Sequence, residues 1–90
     1  MEQEKRVDEQ RTVYITKYAL TKGILEERAL IFSNSDGKMI RFKAGGYDTY
    51  YHTPDWHPTM EQAVTHAEWM RARKIASLEK SLKKMEALKF

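Results

Sequence analysis

The sequence predicts an α+β fold in which a three- to four-stranded antiparallel β-meander precedes one long C-terminal α-helix. Segments rich in β-branched and aromatic residues alternate with Gly-containing turns as far as His52. Pro54 and Pro58 then interrupt the chain, and the residues after them contain neither Gly nor Pro. Because strong helix formers dominate that last stretch, we expect one helix over residues 59–89.

The predicted meander occupies residues 12–52 and follows a charged arm over residues 1–11, which we expect to be flexible. The strand candidates are residues 12–20, 24–32, 38–43 and 47–52. The turns between them contain Gly23, Asp36-Gly37 and Gly45-Gly46. An Asp-Gly pair between two such runs is a strong hairpin signal, since Gly adopts positive φ without steric cost. Short links between successive strands indicate antiparallel neighbours.

Residues 53–58 form the predicted connector, where the prolines remove backbone donors and disfavour helix before Pro58. Thr59 suits a helix N-cap, and Gln62 lies three residues later, as in a capping box. A helix of roughly 30 residues extends about 45 Å at a rise of ~1.5 Å per residue. That length exceeds the width of a sheet in so small a domain. We therefore expect the C-terminal end of the helix to project or to meet another partner.

Composition limits the class of protein. A chain of 90 residues is expected to form a single domain (residues 12–90 after the arm) with a small core. Without cysteine the chain has no disulfide, no thiolate metal ligand and no Cys nucleophile. The charged start lacks the apolar stretch of a signal peptide, and no apolar run is long enough to cross a membrane. We expect a cytoplasmic protein that does not contact membranes.

The positive charge is concentrated at the C-terminal end. Residues 71–90 contain seven basic and two acidic residues, a balance of +5, whereas residues 1–70 contain nine basic and eleven acidic residues, a balance of −2. An association with nucleic acid would use Arg71, Arg73, Lys74, Lys80, Lys83 and Lys84. Cations without a groove-reading element supply only an electrostatic footprint, and the solvated exterior of a coiled coil explains them equally well.

One face of the predicted helix carries an apolar stripe. At ~100° per residue its members are Met60, Ala63, Val64, Ala67, Ile75, Leu78, Leu82 and Met85. We expect the first half of the stripe to pack on the sheet. The last four members have the 3-4-3 spacing of a short heptad seam. A second copy of the same helix would cover this seam in a homo-oligomer. In a monomer the helix would instead fold back along its own sheet.

Trp69 lies opposite the apolar stripe, next to His66 and Arg73 at helical spacing. A large aromatic residue on a polar face indicates a second contact surface. Trp69 would pack against the N-terminal arm or another protomer, or it would stack a planar ligand while its neighbours donate hydrogen bonds.

A small anionic, nucleotide-like ligand is the partner we consider for this surface. Its candidate residues are His66, Trp69, Arg73, Tyr51, Trp56 and His57. The free N–H groups at the start of the helix would attract the anion. Alternatively, Tyr47, Tyr51 and Trp56 are simply the core of the meander, as aromatic residues in strands usually are.

No pattern in the sequence indicates catalysis. There is no nucleophile elbow, Walker loop or dinucleotide-binding fingerprint, so we expect no enzymatic activity and no cofactor. The clustered candidate metal ligands are His52, Asp55, His57 and His66. Their H-x-x-D-x-H spacing matches no zinc pattern, and we predict no metal site.

The segments VYITKYALTKGI and RARKIASLEKSLKKMEALKF resemble a group of short bacterial, phage and prophage proteins with no assigned activity. The group combines an opening strand with a basic C-terminal helix of the pattern K-I-x-S-L-x-x-x-L, matched here by Lys74, Ile75, Ser77, Leu78 and Leu82. The resemblance assigns no functional residue. It implies a phage-type accessory or counter-defence protein that acts by occluding or sequestering a host component. We therefore hypothesise an oligomeric, non-enzymatic inhibitor that binds a host protein or small anionic ligand, with nucleic-acid association as the alternative.

Overall fold

The computed structural model describes residues 9–90, which form a five-stranded antiparallel sheet and one long helix. The strands are β1 (Glu9–Ile15), β2 (Leu25–Ile31), β3 (Met39–Ala44), β4 (Tyr47–His52) and β5 (Trp56–His57). The α-helices are α1 (Ala19–Lys22) and α2 (Met60–Glu86), and a 3-10 turn covers Ser33–Ser35. The strand order is β4-β3-β2-β1-β5. The predicted α+β class is confirmed, and the first four strands form the predicted meander.

The beginning of the domain differs from the prediction. β1 begins at Glu9, inside the predicted arm, and residues 1–8 of that arm lie outside the described part of the chain. β1 then ends at Ile15, so the prediction of a strand through Leu20 was wrong. Instead, the Lys22 amide donates to the Tyr18 carbonyl at 2.7 Å in the short helix α1. Gly23 ends this helix with a φ of 82°, a value that favours glycine.

The predicted connector contains a strand that was not predicted. Trp56 and His57 form β5, which pairs with Ile15 and Tyr14 of β1. The indole Nε1 of Trp56 donates to the carbonyl of Lys38 at 2.9 Å, so this buried polar group is satisfied. β5 therefore ties the segment before α2 to the first strand of the sheet.

The core lies on one face of the sheet. Its buried members are Val13, Ile15, Ala29, Ile40, Phe42 and Trp56. Because side chains alternate along a strand, Tyr14 and His57 belong to the opposite face. α2 contacts β1, β5 and α1, and Ala63 is its one fully buried residue within the described chain.

Helix α2 is continuous over 27 residues, in agreement with the prediction of one long helix, although it ends at Glu86. Thr59 is its N-cap, as predicted, and the Thr59 hydroxyl accepts from the Gln62 amide at 3.2 Å. Every residue from 71 to 90 is exposed in the single chain. The helix therefore extends well beyond the sheet, and the described chain measures 76 × 29 × 24 Å.

Thr59→Ala is expected to lower the free energy of unfolding by about 1 kcal/mol, because the Gln62 amide loses its capping acceptor. Urea denaturation would measure this change. Thr65→Ala, in the exposed interior of the same helix, is the control and should preserve or slightly raise stability, since Ala is the better helix former. Equal losses in the two variants would show that the cap has no special role.

Candidate functional site

Four side chains in successive contact form a column between β5 and α2. The rings of His57 and His66 lie 5.0 Å apart, and His66 stacks on Trp69 with centroids 5.4 Å apart and planes inclined by 26°. The Arg73 guanidinium lies 4.9 Å from the centroid of the Trp69 ring. The three helical residues are spaced three and four apart, so they share one face of α2. We call these four residues the aromatic column.

An open pocket of about 590 Å³ lies beside the aromatic column. The described residues that line it are His57, Glu61, Gln62, Thr65, His66 and Trp69. Trp69 is 53% exposed within the described chain, so its ring is accessible to a ligand. The pocket thus combines an aromatic surface with amide, hydroxyl and carboxylate groups. This combination suits a planar ligand with polar edges.

His57 is the member of the column whose protonation is shifted by the fold. Burial lowers the pKa of His57 below its usual value of 6.5, and the neighbouring His66 lowers it further. A hydrogen bond to the Pro54 backbone acts in the opposite direction. Nε2 of His57 is buried and has no hydrogen-bond partner within residues 9–90. A neutral imidazole with its proton on Nδ1 fits both facts, because Nε2 then needs no acceptor.

Two of the predicted ligand residues lie away from the column. Trp56 is 3% exposed and belongs to the core. Tyr51 packs edge-to-face against Phe42 with centroids 5.3 Å apart, at the margin of the same core. Neither is among the described residues that line the pocket. The sequence prediction had placed Trp56 and His57 in one ligand site. Because they are adjacent in a strand, their side chains lie on opposite faces of the sheet. Tyr47, by contrast, is exposed and not part of the core.

The predicted seam of α2 is uncovered within the described chain. The exposed fractions of its side chains are 49% for Ile75, 55% for Leu78, 57% for Leu82 and 67% for Met85. One turn before the seam, the same helix face is occupied by α1. Ala19 and Leu20 of α1 line a small pocket together with Val64, Ala67 and Arg71 of α2. The seam therefore begins where the contact with α1 ends.

The basic residues predicted for nucleic-acid binding are exposed along α2. Helical spacing places Arg73, Lys80 and Lys84 on the side opposite the seam. A second basic group was not predicted: Arg28, Arg41 and Lys43 line an open cavity of about 460 Å³ on the sheet. Arg41 and Lys43 share a face because they are two residues apart in a strand, and this spacing was the available signal. The position of Arg28 beside them depends on strand register.

Within residues 9–90, no three His, Asp or Glu side chains converge on a possible metal position. No helix in this part of the chain has the length and apolar character needed to span a membrane. No protein-family model, curated protein or solved structure matches the chain. The resemblance to short phage-type proteins therefore stays a prediction.

We expect the stability of the protein to decrease as the pH falls below about 6.5, because the unfolded chain protonates His57 before the folded chain does. The stabilisation is complete above the unfolded pKa and is lost progressively as the pH falls toward the lowered folded pKa. His57→Phe should flatten this dependence between about pH 8 and about pH 5, as measured by urea denaturation.

His52→Phe is the matched control for this pH effect. His52 is exposed at the end of β4 and is not part of the aromatic column, so this variant removes one histidine while His57 stays in place. If His57→Phe and the unmodified chain lose stability in parallel on acidification, His57 is not the titrating group.

Proposed function

We propose that this chain is a non-enzymatic binding protein that works as a homo-oligomer assembled through α2. The exposed seam of Ile75, Leu78, Leu82 and Met85 carries the proposal. Contiguous apolar side chains on a solvated helix mark an interaction surface, whereas scattered ones do not. A second copy of α2 presents a row with the same 3-4-3 spacing, and two such rows can interlock as knobs into holes.

The position of α1 favours an antiparallel pair. α1 occupies the seam's face of α2 as far as Arg71. In a parallel pair, both copies of α1 would lie between the two long helices and hold them apart. In an antiparallel pair, Ile75 faces Met85 of the second copy and Leu78 faces Leu82. The second helix then ends at Glu86, opposite Lys74, just before it would reach α1.

The distribution of charge does not distinguish the two orientations. Residues 71–90 carry +5, and in the register above they lie beside residues 71–90 of the second copy, as they also do in a parallel pair. The position of α1 is therefore the observation that favours antiparallel helices.

We propose that the assembled protein occludes or sequesters its target and does not transform it. The described surfaces are suited to contact: an apolar seam, an aromatic column and groups of exposed cations. The resemblance to phage-type proteins supports a host protein or a small anionic ligand as the target. Stoichiometric action also fits a small domain that would be present in several copies per assembly.

Leu78→Lys combined with Leu82→Lys is expected to convert the assembly to monomers, because the two added charges would have to be buried in the seam. Light scattering after size exclusion should give at least twice the chain mass of 10.6 kDa for the unmodified protein and the single mass for the variant. Ala76→Lys with Ser77→Lys adds the same charge outside the seam and should preserve the assembly. A monomeric unmodified chain would refute the proposal.

Introduced cysteines can report the relative orientation of the two helices, because the chain has no cysteine of its own. In the antiparallel pair, a mixture of Ile75→Cys and Met85→Cys chains should form a mixed disulfide, because these residues face each other. Each variant alone should cross-link poorly. Efficient self-cross-linking of either variant would instead indicate parallel helices.

A second candidate function is the binding of a planar anionic ligand at the aromatic column. The exposed Trp69 ring beside the Arg73 guanidinium favours it, because the ring supplies stacking and the cation supplies charge.

A panel of nucleotides and cyclic nucleotides in a thermal shift assay tests the ligand hypothesis. A ligand present at ~100 times its Kd would stabilise the protein by about 2.7 kcal/mol. Trp69→Ala should remove the shift, and Tyr47→Ala, which truncates an exposed ring on β4, should retain it. The absence of any shift across the panel would exclude nucleotide-like ligands.

A further inference from the structure

Strands β2 and β3 separate after a short paired stretch. Among the described residues, their ladder contains the pairs Leu30–Arg41 and Ile31–Ile40, although β2 starts at Leu25 and β3 continues to Ala44. β2 stays paired with β1, and β3 stays paired with β4, along their lengths. The β3–β4 hairpin therefore diverges from the β1–β2 pair, and the cavity of about 460 Å³ lies at this divergence.

Positive charge dominates the lining of this cavity, which we call the basic cleft. Its described residues are Gln10, Arg28, Leu30, Arg41, Phe42, Lys43 and Asp48. Continuing the Leu30–Arg41 register places Arg28 opposite Lys43, so the cations stand on both sides of the opening. The single acid of the lining, Asp48, lies 3.8 Å from Lys43, and both side chains are exposed. Such a pair contributes little, so Lys43 can exchange this partner for a phosphate at small cost.

An aromatic pair lies next to Arg41 of the cleft, with Phe32 directly after β2 and Tyr50 in β4. The rings of Phe32 and Tyr50 are nearly parallel, inclined by 15° with centroids 6.3 Å apart. The Arg41 guanidinium lies 5.9 Å from the Phe32 ring, and Tyr50 is the direct cross-strand neighbour of Arg41. Tyr50 is 50% exposed. Cations and an accessible ring thus occupy the same face of the sheet.

We infer that the basic cleft binds single-stranded nucleic acid. Arg28, Arg41 and Lys43 would contact successive phosphates, and a base would stack on Tyr50. A single strand suits this arrangement because its bases are free to stack, whereas a duplex keeps its bases paired inside. This surface is separate from the basic face of α2, and the inference does not depend on self-association through the seam.

Fluorescence anisotropy with labelled oligothymidylate and oligouridylate tests the inference. Three phosphate contacts on a single strand predict a slope of about −2 for log K against log salt, so binding should weaken roughly 20-fold when the salt concentration rises about fourfold. Combined Arg28→Gln, Arg41→Gln and Lys43→Gln should remove most of this binding and its salt dependence. Arg41→Gln alone should reduce the slope by ~0.7.

Two matched controls separate this surface from others. Lys80→Gln, Lys83→Gln and Lys84→Gln remove the same charge from α2 and should leave most of the binding intact. Tyr50→Ala should weaken binding by a factor of about 5 to 150, the usual range for loss of one stacked base. Tyr47→Ala, three residues earlier in β4 and therefore on the other face, should not weaken it. Far-ultraviolet circular dichroism confirms that each variant is folded.

Four results would overturn the inference. The first is the absence of binding at low salt, and the second is a loss of binding in the α2 variant but not in the cleft variant. The third is an affinity for duplex that equals the affinity for a single strand. The fourth is complete displacement of the oligonucleotide by a mononucleotide that binds with the same affinity. The second result would assign binding to α2, the third would indicate an electrostatic surface without base stacking, and the fourth would indicate a nucleotide pocket.

Discussion

The contact between the first turns of α2 and the strands β1 and β5 positions both the aromatic column and the seam. Ala63 is fully buried in the part of α2 that meets the sheet, and its small side chain lets the helix backbone approach closely. Thr59 caps the helix immediately after β5, so the start of α2 is tied to the sheet edge. Because a helix is stiff, fixing its first turns also fixes the direction of the remaining residues.

The direction of α2 explains why the apolar seam stays exposed in the single chain. The core of the described chain is built from the sheet, with Trp56 of β5 closing it, and α2 contributes one buried residue. Residues 71–90 therefore add little to the stability of the domain, since they contact so little of it. The apolar seam on this segment therefore supports the proposed assembly through α2. Its continuous helix conformation comes from helix-forming residues and from the absence of Gly and Pro.

The three candidate surfaces differ in their physical chemistry. The seam of α2 is apolar, and burial of its area would drive association. The aromatic column is polarisable and weakly charged, and it favours planar ligands. The basic cleft is cationic, and its interactions would weaken with salt. The column joins β5 to α2, the cleft lies between β2 and β3, and the seam lies further along α2. Substitutions can therefore test each surface separately.

Features that depend on local patterns could be predicted from the amino-acid sequence alone. Helix propensity and the Thr59 cap defined α2, the alternation of residues 47–52 defined β4, and Asp36-Gly37 marked a turn in which both residues have positive φ. The spacing of residues 66, 69 and 73 also placed three members of the aromatic column on one helix face. Each of these features involves residues close together in the chain.

Contacts between residues that are distant in the chain could not be predicted in this way, because they depend on the fold of the whole domain. β5 forms because Trp56 and His57, which lie between the two prolines, pair with β1. This pairing places the His57 ring in contact with His66 and places the Trp56 side chain in the core. The basic cleft exists because β2 and β3 diverge, which brings Arg28 beside residues of the next strand. The short helix α1 replaced a predicted strand because local helical hydrogen bonds and Gly23 outweighed the β-branched composition. Register and strand divergence result from the packing of the whole domain, so periodicity within one segment cannot specify them.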